Sequence, residues 1–403
     1  MSATSGHCDS TSPLGLSADG FVARAKPLGL AKPGALDAYR GFYWQGSSFV
    51  DEKLKAIGAF RGAAPITSLN IDEGAEGKIF KFTQEVPATA TRLDGQVEML
   101  RTESVLIPMI GKRRVRTYTL CVSSQVGCVM GCTFCETAQM GLIRSLSVEE
   151  IVQQWYAATH FLKHAEIPEP VITPQGLEGP VRNIVFMGMG EPMDNLDNVL
   201  GAIDVLRDHR GPSIPISKIT ISTVGRVDGI AKLAEQVRKD GWHRLNLAIS
   251  LNAADDAIRS GIMPVNRKWN LAELQQALID FPVYGGGKLC IEYVLIPGVN
   301  DTDDDARKIA EFLAPINNDY RVRKNASTPR TLLNLIPYNP RRVSPWPAPT
   351  EEKVEHFLAK LIELGVYAKR RRTKGRDLMG ACGQLGSEHI RQRKLVDVTV
   401  SGA

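Results

Sequence analysis

The sequence predicts an α/β fold of parallel βαβ units, open or closed into a barrel, with a small N-terminal accessory domain. Three observations carry that expectation. Beyond residue 116, short apolar runs alternate with amphipathic stretches of helical period. Ahead of them, "KIFKFTQEV" and "GQVEMLRTESVLIPM" alternate as two strands around a polar loop containing Asp94-Gly95, the pattern of a β-hairpin. The conspicuous polar residues fall just after the apolar runs, at the strand ends where parallel folds carry their chemistry.

The elements divide the chain into four parts. Residues 1–40 are rich in Gly, Pro, Ala and Ser without lasting periodicity, and are expected to form a flexible leader. Residues 41–110 are expected to form the accessory domain. Residues 111–385 hold the βα core, and 386–403 a C-terminal tail. Core strands are expected at "YTLCV", "NIVFMG" (183–188), "KITIST" (218–223), "RLNLAIS" (244–250), "LCIEYVLI" (289–296) and "TLLNLI" (331–336). The first helix opens at Ser147, where Glu150 completes an S-x-x-E capping box. Further helices are expected near 196–208, 226–239, 270–281, 303–314 and 350–364.

Composition narrows the setting. The start "MSATSGHCDS" has no apolar core of a secretory signal, and no apolar run approaches the roughly 20 residues of a membrane span. A cytoplasmic protein with no membrane partner is expected, and there clustered cysteines point to metal or redox chemistry before disulfides. Net charge is +5, but from Arg321 onward there are 17 Lys or Arg against 7 Asp or Glu. The basic clusters "GKRRVR", "NPRRV" and "KRRRTKGR" read as a solvated surface or as a patch that tracks phosphates.

"CVSSQVGCVMGCTFC" places four of the seven cysteines in one short stretch. Cys128, Cys132 and Cys135 form C-x3-C-x2-C. A structural zinc site takes four ligands, usually as two pairs, and no second pair lies nearby. His160 and His164, at i and i+4 on the following helix, read as packing or surface residues. Three thiolates on a short loop suit three irons of a cubane cluster whose fourth iron stays open; a zinc or purely redox loop is the alternative. An open iron takes an amino group and a carboxylate such as those of a methionine moiety. C-x3-C-x2-C after a β-strand, with Phe134 before the last cysteine, resembles the signature of radical S-adenosylmethionine (SAM) enzymes. In "GMGEP", Gly190 and Glu191 are placed to meet the methionine amino group. "SLN" supplies Ser250, Leu251 and Asn252; with Ser222 and Asn339 these suit ribose and carboxylate contacts. Singly, each reads as a cap or turn residue.

"CVSSQVGCVMGCTFCETAQMG", "GMGEP", "STVG", "AISLN", "NLIPYNP" and "ACGQL" occur in the order seen in the RlmN/Cfr family of radical SAM RNA adenine methyltransferases, which the chain resembles from about Glu103 to Leu385. The resemblance implies a partial (β/α)6 radical SAM barrel, a [4Fe-4S] cluster, SAM as cofactor and methylation of an aromatic carbon of adenine. It implies that one SAM methylates Cys382, and that a second yields a radical that takes hydrogen from the S-methyl group. The resulting carbon radical adds to adenine, crosslinking protein and RNA. Cys121 then attacks the Cys382 sulfur, forming a disulfide and releasing methyladenine. Glu103 is implied as proton acceptor, and an electron donor such as flavodoxin as partner. Cys290, in an apolar strand, reads as core; Cys8 matches no role.

The helical RNA-binding module that usually begins such proteins has no counterpart in "GLAKPGALDAYRGFYWQGSSFVDEKL", which lacks its Arg-rich pattern. The implied substrates are an adenosine of large-subunit ribosomal RNA, of tRNA, or both. C2 is the expected position, since it is the family's housekeeping activity; a C8-directed enzyme is the alternative. A non-catalytic RNA-binding relative would be expected to lack one of Cys121, Cys128, Cys132, Cys135, Cys382 and Glu103, and all are present. A monomer is expected.

Overall fold

The structure, a computed structural model, describes residues 12–46, 62–91, 97–110, 116–173, 176–282, 284, 289–371, 375 and 379–386. Cys8, the Asp94-Gly95 loop, most of "GKRRVR", much of "KRRRTKGR" and the tail beyond Gly386 lie outside the described residues.

The described strands build one ten-stranded mixed sheet. Its antiparallel end comprises β1 (Ile66–Gly74), β2 (Gly77–Thr91) and β3 (Val97–Ile110), and β3 pairs with β4 (Arg116–Cys121). Two short hairpins follow outside it: β5 (Gln125–Gly127) with β6 (Leu142–Ser145), and β7 (Val171–Thr173) with β8 (Gly176–Glu178). From β4 the sheet continues in parallel through β9 (Val181–Phe186), β10 (Ile219–Thr223), β11 (Asn246–Ser250), β12 (Leu289–Leu295), β13 (Thr331–Pro337) and β14 (Ala368–Arg370). This is a partial barrel with an antiparallel extension, and each apolar run expected to be a core strand is one. β1 and β14 carry no apolar signal: the first is a polar edge strand, the second is "AKR". No break in pairing marks residue 110, and Phe80 and Leu106 share a core with Tyr118 and Leu120.

The helices are α1 (Ala18–Ala25), α2 (Lys32–Gln45), α3 (Val148–Tyr156), α4 (Leu196–Arg207), α5 (Val227–Val237), α6 (Asp256–Ile262), α7 (Leu271–Asp280), α8 (Asp303–Lys324) and α9 (Glu351–Glu363). The capping box at Ser147 forms in both directions. α8 runs past the stop expected at 314, with Pro315 inside it on the exposed face. Among the described residues no helix is long and apolar enough to cross a membrane.

The expectation of a flexible leader through residue 40 is corrected. Residues 13–45 are largely helical and bury Phe21, Tyr39, Phe42 and Tyr43, of which Phe42 and Tyr43 pack against Trp155 and Tyr156 of α3. Phe42 stacks on Tyr156 with centroids 4.5 Å apart, and Tyr156 donates its hydroxyl to the Phe42 carbonyl. Arg210 and Asp208 pin the start of α1: Ala18 N–H donates to Asp208 at 2.8 Å, and Arg210 pairs with Asp19. Aromatic anchors between Ala and Gly, not a Leu/Ile stripe, form this face, so periodicity did not reveal it. His160, against Tyr156 and Trp155, packs as expected, and burial pushes its pKa down to about 4.

Phe42→Ala should lower stability by about 3–5 kcal/mol, the usual cost of emptying an aromatic site. The check is the urea midpoint of the full chain; a variant indistinguishable from wild type would mean that this helix pair is not part of the cooperative core.

Candidate active site

The site hangs on a buried polar step after β4. Ser123 N–H donates to Gln154 Oε1 at 2.8 Å while Gln154 Nε2 donates to the Ser123 carbonyl at 2.9 Å, so one α3 side chain satisfies both backbone polar groups of Ser123. Ser123 Oγ donates to the Glu103 carbonyl and accepts from Met189 N–H. Gln125 Oε1 accepts from Glu191 N–H at 2.9 Å, and Asn195 Nδ2 donates to the Ser124 and Leu146 carbonyls. These bonds fix the start of the cysteine loop to the "GMGEP" turn. Gly190 has φ +100, and a Cβ there would lie 2.6 Å from Gln125 Cβ, so the two segments meet only through glycine.

A cleft open to solvent lies over the strand ends. Cys128, Cys132 and Cys135 line it together with Gly190, Glu191, Ser222, Ser250, Asn252 and Cys382. The structure thus brings together most of the residues singled out by sequence. Leu251 is buried beneath the cleft, where its carbonyl accepts from Arg259. Tyr338, in place of its neighbour Asn339, reaches the lining. Glu103 and Cys121 lie beside the cleft and are not part of its lining.

Burial pushes the Cys128 thiol up to about 12, and raises Cys132 and Cys135 as well. The three sulfurs add to the effect by facing one another, while backbone N–H groups of Met130 and Ala138 point at Cys128 and Cys135. Thiolates crowded in this way call for a cationic centre, and N–H donors at sulfur are the usual surroundings of iron–sulfur clusters. Among the described residues no three Cys, His, Asp or Glu converge as around a single ion. Ligands that each meet a different corner of a cubane need not do so, and the donor set fits such a cluster.

Glu191 is buried; burial raises its pKa, and its carboxylate accepts from Met193 and Val224 N–H groups at 3.1 and 2.9 Å. Asn252, in the left-handed region at φ +55, accepts from Val294 N–H at 2.9 Å and donates to the Met263 sulfur. Its amide therefore shapes the turn, more than offering free groups to a ligand. Arg259, fully buried on α6, donates to the Val224, Ser250 and Leu251 carbonyls and ties three of these loops together.

Cys382 sits on a segment docked onto the cysteine loop. Glu136 N–H donates to the Gly383 carbonyl at 2.7 Å, Thr137 Oγ1 donates to the Leu385 carbonyl, and Gln384 reaches the Pro340 carbonyl. Cys121 and Cys382 are both free thiols. Burial pushes Cys121 up to about 12, reinforced by the Cys382 sulfur and opposed by the Arg371 guanidinium. Arg371, just past β14, is held above its ordinary range first by Cys382, against burial, and then by Glu292 and Cys121. It lies 3.6 Å from Glu292, which also lines the cleft and accepts from Asn334 at 2.8 Å.

Glu292 and Arg371 escaped the sequence reading. The available signal for Glu292 was a carboxylate inside the apolar run "LCIEYVLI". Arg371 was hidden in a basic cluster read as surface; its neighbour Arg370 pairs with Glu351 and Glu355 on α9, so this part of the cluster is internal structure.

No family model matches the chain. It is 38% identical over 327 residues, 81% of its length and 77% of the relative's, to a protein of Protochlamydia amoebophila described as a probable dual-specificity RNA methyltransferase RlmN 1. Over 356 residues it is 37% identical to a dual-specificity RNA methyltransferase RlmN of an Anaeromyxobacter species, covering 88% and 85% of the two chains. Among solved structures it resembles a radical SAM methyltransferase from Sphaerobacter thermophilus. That match has a TM-score of 0.73 at 30% identity and covers 92% and 98% of the chains.

With its pKa near 12 instead of the ordinary 9.0, Cys121 carries about a thousandth of the usual thiolate at pH 8. Its alkylation by iodoacetamide, followed by peptide mass spectrometry, should be slower by that order than in urea and should climb steeply above pH 10. Equal rates in the two conditions would show that the thiol is neither shielded nor held protonated.

Proposed function

The chain belongs to the RlmN family of radical SAM RNA methyltransferases, and from that premise we propose that it methylates C2 of an adenosine in ribosomal RNA, tRNA or both. The observation that carries this reading is the position of Cys382: it shares one cleft with the three-cysteine loop and one guanidinium with Cys121.

Cys128, Cys132 and Cys135 would hold a [4Fe-4S] cluster, and the "GMGEP", "STVG" and "SLN" turns the SAM beside it. When bound, these groups supply one-electron reductive cleavage and a carbon-centred radical. The remaining work falls to the protein. Cys382 carries the one-carbon unit on sulfur, and its segment between Gly380 and Gly383 presents that sulfur to cofactor and base in turn. Glu103 takes the proton released from the adduct carbon. The adduct passes its unpaired electron to the external one-electron carrier. Cys121, as thiolate, then forms a bond to the Cys382 sulfur while the bond from that sulfur to the transferred carbon breaks. The electron pair left on that carbon takes a proton to complete the methyl group, leaving the methylated base and a disulfide. The Arg371 charge favours the Cys121 thiolate against burial. An external dithiol reductant returns the pair to the free thiols seen here.

Three measurements test the reading. Anaerobic reconstitution should give about four irons per chain; bound zinc without visible colour would sink the cluster. The reconstituted protein with SAM, a reductant and total RNA should yield 2-methyladenosine by nucleoside mass spectrometry. 8-Methyladenosine would move the assignment to C8, and unmodified RNA would refute the activity. Cys121→Ala is expected to accumulate a protein–RNA crosslink, visible as a retarded band that ribonuclease collapses. Normal turnover by that variant would remove Cys121 from the mechanism.

A further inference from the structure

Lys81 and Glu103 form an ion pair at 2.9 Å, with both side chains less than 10% exposed. They are diagonal neighbours on one face of the β2–β3 ladder, where Lys81 pairs with Val105 and Thr83 with Glu103. Both partners also reach out of the sheet. Lys81 Nζ donates to the Met379 carbonyl at 3.0 Å, and Gly386 N–H donates to the same Glu103 oxygen at 3.2 Å. Met379 and Gly386 bracket Cys382, so one pair grips the segment on both sides of its sulfur.

Stability alone is a poor account of this pair. Burying two charges loses hydration that their attraction barely recovers, and apolar replacements are commonly as stable. A buried pair does impose geometry, because neither partner has an equally good alternative when the segment shifts. Among the described residues, none of the accessory sheet lines the cleft, Lys81 and Glu103 included. We propose that Lys81 is a positioning residue for Cys382: with Glu103 it forms a clasp that holds the 379–386 segment so that the sulfur faces the cofactors. The inference rests on the functional reading above for what Cys382 does, but not for how it is held.

Removing the ammonium should free the Met379 carbonyl, and a reacting atom displaced by about an ångström loses up to a hundredfold in rate. Two readouts on the full chain test this. The first is the iodoacetamide alkylation rate of Cys382 before reconstitution, located by peptide mass spectrometry. The second is the rate of Cys382 S-methylation after reconstitution with iron, sulfide, SAM and reductant, with iron content as a control. In Lys81→Met, alkylation should rise about fivefold through easier local opening, and S-methylation should fall about tenfold or more at unchanged iron content. Lys81→Arg, which keeps both the charge and the donors, should restore each to within about threefold of wild type.

Should Lys81→Met lose its iron content, Lys81→Gln takes its place, since it removes the charge and is one atom shorter, losing the ion pair and weakening the bond to the Met379 carbonyl; it should show the same direction in both readouts at smaller size. Wild-type behaviour in both readouts, or equal loss in Lys81→Arg, would overturn the clasp. If wild-type Cys382 never gains a methyl group, the functional reading fails, while the alkylation contrast still decides the clasp.

Discussion

The arrangement depends on a strip of buried polar backbone, Ser123 to Gln125. A loop carrying three cysteines has little apolar surface with which to fix itself, so its position is set by hydrogen bonds. Gln154, Asn195 and the Met189–Glu191 backbone supply them. Each such bond contributes only about 1 kcal/mol net, but a buried partner left unpaired costs about 1–3 kcal/mol. The network is therefore much stiffer than its net stability suggests, since any shift breaks several bonds together. α3 is held by its own capping box and packed on α2, so the N-terminal helices support the loop through Gln154.

That rigidity permits thiols of unlike character within a small volume. The three lining cysteines share mutual repulsion and burial, and Cys128 and Cys135 also face backbone N–H donors, which suits a cationic cluster. Cys121 ends a β-strand, buried on every side, and is kept protonated by the same desolvation that makes it slow to react. Cys382 is on a glycine-flanked segment held by hydrogen bonds and by an ion pair outside the cleft. Arg371 acts on both of the latter two and stands away from the loop ligands.

The fold was legible wherever apolar residues alternate or run together: β4 and β9 to β13 match the strands expected from sequence, and α3 begins at its capping box. It was illegible where structure rests on other physics. α1 and α2 pack through Phe21, Tyr39, Phe42 and Tyr43 among small residues, and β14 is three residues held by ladder bonds. In the site, strand-end position and cysteine spacing found most of the lining. Lys81, Glu292, Arg259 and Arg371 were missed because a charged residue in a strand, a helix or a basic run carries no one-dimensional sign of its partner. Lys81 meets Met379 across 298 positions. Such pairs exist only once the sheet has brought its two ends together.

The way those ends meet gives the incomplete barrel a purpose. The described sheet runs from β1 to β14 without closing, and β14 finds no pairing partner across the gap. Arg371, just past β14, nevertheless acts on Cys121 at the end of β4, and Met379 and Gly386 bond to Lys81 on β2 and Glu103 on β3. The 379–386 segment is thus fixed to the antiparallel end of the sheet and to the cysteine loop by hydrogen bonds to side chains and backbone, not by strand pairing. A ladder bond cannot be released one at a time without unzipping its neighbours, whereas an ion pair and a few side-chain bonds can. A segment attached in this second way can be firm enough to aim a sulfur, yet separable from the wall without disturbing the sheet that supports it.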